Sequence, residues 1–272
     1  MKKSLVLLLG LSSAASLSAA TLTGLWEFDN ASNLAEATVG DDLTMGTAPT
    51  YNATLADDNG TALAGTVTTG GGTGSYFRVA PNIPVNGGGS YVNQYSFVID
   101  LFTPSGNRDS WRAIFQTNDQ PDGNDADYWI GTDNTLGLSS MGYTSGTIDQ
   151  GKWTRLAVTV DLTQAGGAGA PKYITYLDGA HFYDHPGTGN GGVDERFSLY
   201  PASGSNVAYF FADNTDSENP PMNIGAIAIY DGVLTPTEVA NLGVAGDPVP
   251  EPSSAFLLGS ITLLGLAWRR RR

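Results

Sequence analysis

The chain is 272 residues long, contains no cysteine, and carries 13 basic against 27 acidic residues, a net charge of −14. The missing thiols exclude disulfides, iron–sulfur clusters, thiolate zinc sites and cysteine nucleophiles, and leave His181 and His185 as the only imidazoles. Residues 21 to 250 alone hold 7 basic and 26 acidic side chains, a net of −19, and a surface of that sign makes nucleic acid and anionic lipid poor partners.

The N-terminus has the order of an export signal. Lys2 and Lys3 precede an apolar stretch from Leu5 to Leu11, and Ser18-Ala19-Ala20 supplies small residues for cleavage after Ala20, so 1–20 is a signal peptide. The apolar stretch is broken by Ser12 and Ser13 and is too short to span a bilayer.

Residues 21–247 then form one large β domain. The chain's 35 glycines cluster mostly here, between short segments rich in aromatic and β-branched residues, which is the pattern of many strands joined by turns. Strands are expected at 24–29, 76–80, 94–102, 112–116, 128–131, 136–139, 153–161, 172–177, 197–200, 208–212 and 223–230. The Thr-, Ala- and Asp-rich region 31–74, with Gly70-Gly71-Gly72, reads as loops and edge strands.

Within 94–102, Tyr95, Phe97, Ile99 and Leu101 alternate and share one face. From Leu156 to Val160 both faces are apolar, as in a strand covered on both sides. Leu177-Asp178-Gly179-Ala180 carries a hairpin turn. One short helix is expected near the C-terminus: Thr235 as N-cap, Pro236 in the first position, Glu238 completing a capping box and Gly243 ending it. Many short strands and a single helix predict an all-β, two-sheet jelly-roll sandwich of twelve or more strands.

Two segments concentrate oxygen donors. Asp213, Asn214, Asp216 and Glu218 lie within one short stretch and are the candidate calcium ligands; 119–127 has the same chemistry. A sugar would need a ring platform beside polar groups, for which Tyr128, Trp129 and Trp111 are the candidates, with Tyr143 also available, while Trp26 and Trp153 belong to the core. His181 and His185 follow the 177–180 turn and are assigned to a surface loop, and no Gly-x-Ser-x-Gly elbow accompanies them.

The C-terminus has three parts in order: Val249-Pro250-Glu251-Pro252-Ser253, an apolar run from Ala255 to Trp268, and four arginines, Arg269 to Arg272. As a helix the 14-residue run is about 21 Å long against a hydrocarbon core of about 30 Å, so it crosses only with help from its flanks, basic end in the cytoplasm.

This tail, 248–272, resembles the PEP-CTERM sorting signal, with Pro250, Glu251 and Pro252 as the motif. The resemblance implies recognition by an exosortase-type enzyme, transient anchoring in the inner membrane, and delivery to the cell surface or an extracellular matrix. Across the mature chain, Trp26-Glu27-Phe28-Asp29, the 95–100 strand, Gly151-Lys152-Trp153-Thr154-Arg155, Tyr176-Leu177-Asp178-Gly179 and the 227–239 segment resemble, in that order, a LamG-like, concanavalin A-like jelly roll. Laminarinase-type relatives carry Glu-x-Asp-x-x-Glu on one strand. Glu27-Phe28-Asp29 supplies only the first half of that pattern, and Ser32 stands where the second glutamate belongs. The expected function is that of an exported, non-enzymatic module of the cell surface or matrix, carbohydrate-binding (polysaccharide or another surface glycan) or adhesive, with a structural calcium-binding matrix role without specific glycan recognition as the alternative and a polysaccharide hydrolase as the third reading.

Overall fold

The computed structural model describes residues 20–117, 126–189, 191–199 and 206–250. Residues 1–19 of the signal peptide, the acidic stretch 118–125, Tyr200, Glu251, Pro252 and the apolar tail lie outside the described residues.

Among the described residues fifteen strands follow one another: β1 (Thr21–Trp26), β2 (Thr44–Met45), β3 (Thr50–Ala56), β4 (Ala62–Thr68), β5 (Phe77–Val79), β6 (Gln94–Phe102), β7 (Arg112–Gln116), β8 (Tyr128–Ile130), β9 (Leu136–Leu138), β10 (Gly142–Tyr143), β11 (Thr154–Asp161), β12 (Tyr173–Leu177), β13 (Ala180–Asp184), β14 (Ala208–Phe210) and β15 (Asn223–Asp231). They make two antiparallel sheets. The first has the order β13-β12-β11-β6-β15-β4-β3, with β1 also paired to β15; the second has the order β10-β9-β8-β7-β14-β5-β2. The architecture is the expected jelly-roll sandwich.

Period-two alternation sorts the side chains of the first sheet. Tyr95, Phe97, Ile99 and Leu101 of β6, Leu156, Val158 and Val160 of β11, and Ile224, Ile227 and Ile229 of β15 all enter the core between the sheets. They meet Phe115, Tyr128, Ile130 and Phe210 from the second sheet. Phe97 and Phe115 stack with ring centroids 4.5 Å apart.

The intervening residues face outward and are buried too, because helix α1 (Pro236–Leu242) lies over them. Val98, Ala157, Ala228 and Tyr230 form a second apolar cluster with Val239 and Leu242 of α1. Each of those two helix side chains contributes about 1.5–3 kcal/mol by leaving water. The helix starts as its sequence demands: Thr235 Oγ1 accepts from the Glu238 N–H at 3.2 Å while Glu238 Oε2 accepts from the Thr235 N–H at 2.7 Å. Gly243 ends it at a φ of 72°.

Four differences from the sequence reading have physical causes. First, β1 ends at Trp26, not at 29, because Phe28 takes a φ of 54° and turns the chain out of the ladder. Second, region 31–74 contains a full hairpin, β3 with β4, in which β3 is an edge strand and β4 pairs onward to β15. Third, 197–199 makes only an isolated bridge, Leu199 with Val92. Fourth, 180–184 is strand β13, not a loop. Its turn is tight, with Asp178 and Gly179 at φ values of 49° and 77°.

Candidate functional site

The outer face of the second sheet carries a group of three rings. Trp129 on β8 pairs across the ladder with Ala113 of β7 on one side and Gly137 of β9 on the other, and Gly137 pairs with Tyr143 of β10. Two small residues therefore flank the indole. Gly137 is required there, since a Cβ would lie 2.3 Å from the Gly142 carbonyl. Trp111, just before β7, stands edge-on to both partners, with centroids 5.8 Å from Trp129 and 5.8 Å from Tyr143.

Exposure divides the trio. Trp129 is almost fully buried and donates its indole N–H to the Ala126 carbonyl at 2.9 Å, whereas Trp111 is 37% exposed. The Trp111 ring, Asp133 and Thr135 all border Gly131, whose missing side chain leaves them room. Asp133 accepts from both the backbone N–H and the hydroxyl of Thr135, which hold its carboxyl below the usual range.

Arg112 fixes this turn from beneath. Its guanidinium is buried and donates to the Gly131 carbonyl at 2.9 Å, to Asn134 Oδ1 at 2.7 Å and to Gln150 Oε1 at 2.8 Å. Burial lowers its pKa to about 10. Sequence reasoning missed Arg112. The available signal was an arginine inside an otherwise apolar strand, Arg112-Ala113-Ile114-Phe115.

Tyr128 does not join this patch. Adjacent strand residues point to opposite faces, so with Trp129 outward Tyr128 is inward and fully buried. Its hydroxyl meets Thr175 Oγ1, which is 2.8 Å from His185 Nε2, and His185 Nδ1 is 2.9 Å from the Gly142 carbonyl. A carbonyl only accepts, so the proton sits on Nδ1, Nε2 accepts from Thr175, and Tyr128 donates to Thr175. His185 is thus a core residue, and desolvation depresses its pKa to about 4. His181 stays exposed on β13 beside Asp184.

The described end of the 119–127 segment meets the 213–218 segment. The backbone N–H of Ala126 points at Asp213 Oδ1 at 3.4 Å. Asp213 is buried, and its Oδ2 accepts from the N–H and hydroxyl of Thr215. Asp216 Oδ1 accepts from the Thr73 N–H, and Glu218 Oε2 lies 2.6 Å from the same Thr215 hydroxyl, whose single proton the two carboxylates share. Asn214 is exposed. Asp213 and Glu218 share the Thr215 hydroxyl, and among the described residues no group of three or more His, Asp or Glu converges as metal ligands would. Of the four candidate calcium ligands, Asp213, Asp216 and Glu218 each accept a hydrogen bond from a threonine, and Asn214 lies exposed between them. Asp127 of the other segment is buried against Thr117 and ion-paired with Arg196 at 3.0 Å.

Glu27 and Asp29 line a cleft of about 370 Å³ together with Leu63, Asp100, Gly225 and Val249. Asp100 is committed to Arg155: Nε reaches Oδ1 at 2.7 Å and Nη2 reaches Oδ2 at 2.8 Å. The same guanidinium donates to the carbonyls of Leu242 and Asp247, the latter at 2.6 Å. Beyond it the Pro250 carbonyl accepts from Tyr230 Oη at 3.2 Å.

Solved structures with this fold are known. The chain is similar to a Trypanosoma rangeli sialidase (TM-score 0.54, 11% identity, 84% of this chain and 33% of that one). It is also similar to the receptor-binding domain of a botulinum neurotoxin C/D mosaic serotype (TM-score 0.51, 14% identity, 82% and 50%). A further match is domain 4 of a GH43 extracellular arabinanase from Geobacillus stearothermophilus, in complex with arabinotriose (TM-score 0.49, 21% identity, 83% and 100%). The chain spans about a third of the sialidase and half of the neurotoxin domain, and at these identities the likeness is one of fold. No curated protein sequence matches the chain. Residues 248–272 match the PEP-CTERM protein-sorting motif, so this jelly roll belongs to a secreted protein that carries a C-terminal membrane-anchor signal of the kind exosortase recognises.

Proposed function

We propose that the released protein is a non-enzymatic module of the cell surface or extracellular matrix that binds polysaccharide through the Trp111 patch. The observation that carries this reading is a tryptophan held one-third exposed, edge-on to two further rings and beside Asp133 and Thr135. Sugar rings offer C–H faces and a rim of hydroxyls, and a braced aromatic face next to polar groups suits both. Three features favour binding over hydrolysis. Phe28 turns Glu27 and Asp29 off the strand, Asp100 in the same cleft is neutralised by Arg155, and His185 is buried.

The test is retention of the released protein on a panel of immobilised neutral polysaccharides, with Trp111→Ala alongside. Retention of the wild type on at least one glycan, weakened about tenfold by Trp111→Ala, is the expected result. Equal retention of both proteins, or no retention of either, overturns the reading.

A further inference from the structure

We propose that the folded domain restrains its own sorting motif, so that residues 248–250 must peel from the outer face of the first sheet before the motif is processed. The segment after α1 is held in two tiers. In the inner tier Arg155 donates to the Leu242 and Asp247 carbonyls, and Asp100 Oδ2 accepts from the Gly246 N–H at 2.9 Å. Both ends of one buried ion pair are thereby spent on the backbone of 242–247. Asp247 closes the loop on itself, its Oδ2 accepting from the Val244 N–H at 3.0 Å.

The outer tier holds the motif itself. Val249 packs against the apolar cluster of Tyr176, Tyr230 and Leu234, and Tyr230 Oη donates to the Pro250 carbonyl. The match to the sorting motif begins at residue 248, so its first three residues are part of the folded surface.

Chain length makes the restraint matter. Four residues, 251–254, separate Pro250 from the start of the apolar run at Ala255, and fully extended they reach about 14 Å. A processing enzyme takes up its peptide extended, with residues on both sides of the site in its groove. With Pro250 pinned, the N-terminal half of that peptide is occupied by the domain. Detaching Val249 and Pro250 frees it without disturbing Arg155.

The experiment follows the full chain by pulse–chase in a host that carries the sorting machinery, reading conversion of the membrane-held precursor to the shorter released form. Tyr230→Phe removes the hydroxyl and keeps the buried ring, and Val249→Ser removes the apolar contact. Losing one such contact raises the peeled population about two- to tenfold, and conversion should quicken by that factor. Unchanged or slower conversion overturns the proposal. Val249 is half-exposed and lies beyond the last helix. Val249→Ser therefore carries the test alone if Tyr230→Phe lowers the unfolding temperature of the released protein.

Discussion

Arg155 and Asp100 face each other on neighbouring strands as a two-pronged ion pair, 1% and 3% exposed, and neither is idle on its remaining side. Removing one partner strands the other charge in a dry environment. Arg155→Met is expected to cost about 3–5 kcal/mol in urea unfolding, and Arg155→Met combined with Asp100→Leu to recover much of it. A double variant no more stable than the single one would show that the backbone carbonyls, not the charge, dominate.

His185 gives the domain a defined acid sensitivity. Its pKa is about 4 in the fold against 6.5 when exposed, so the unfolded chain takes up a proton that the folded one refuses between those values. Its share of the stability is complete above pH 6.5 and is lost as pH falls toward 4, amounting to roughly 3 kcal/mol. His185→Gln should flatten the slope of unfolding free energy across that window relative to wild type. Parallel slopes for the two proteins would refute the assignment.

The tryptophans of the patch should separate binding from stability. Trp129→Ala empties a nearly buried site between strands and is expected to cost about 3–5 kcal/mol. Trp111→Ala, at the rim, should cost about 1 kcal/mol or less. Chemical denaturation of both variants decides it, and equal losses would mean that Trp111 is chiefly a packing residue.

Chelation is a direct check on the acidic segments. Because Asp213 and Asp216 already accept the backbone N–H groups of Thr215 and Thr73, removing divalent cations should leave the melting temperature within about 1 °C of its value with calcium. A drop of several degrees would place a cation on this protein.

Local signals in the chain carried the long strands, the 177–180 turn and the helix caps, because each follows from alternation or from a backbone requirement confined to a few residues. Tyr128 and Trp129 show where reasoning by residue type falls short. Their adjacency looked like a shared platform, yet the same alternation forces one of them into the core. At 213–218 composition shows the oxygen donors but not where they point, which only the fold supplies. Arg155 was visible only as a charge in an apolar strand; that it holds a segment 87 and 92 residues downstream is a property of the assembled sheet.

The place of β15 carries a consequence for export. This strand lies next to β6 in the first sheet and pairs along its other edge with both β4 and β1, so that the first and last strands among the described residues are bound to each other over some two hundred residues. Such a sheet has a gap at its centre until residue 231 has crossed the membrane, and non-local pairing of this kind closes slowly. The sorting motif follows only 17 residues later. Maturation of the sandwich and arrival of its address are therefore nearly simultaneous, and a chain stalled before β15 would display an open, adhesive sheet edge with no anchor yet in place.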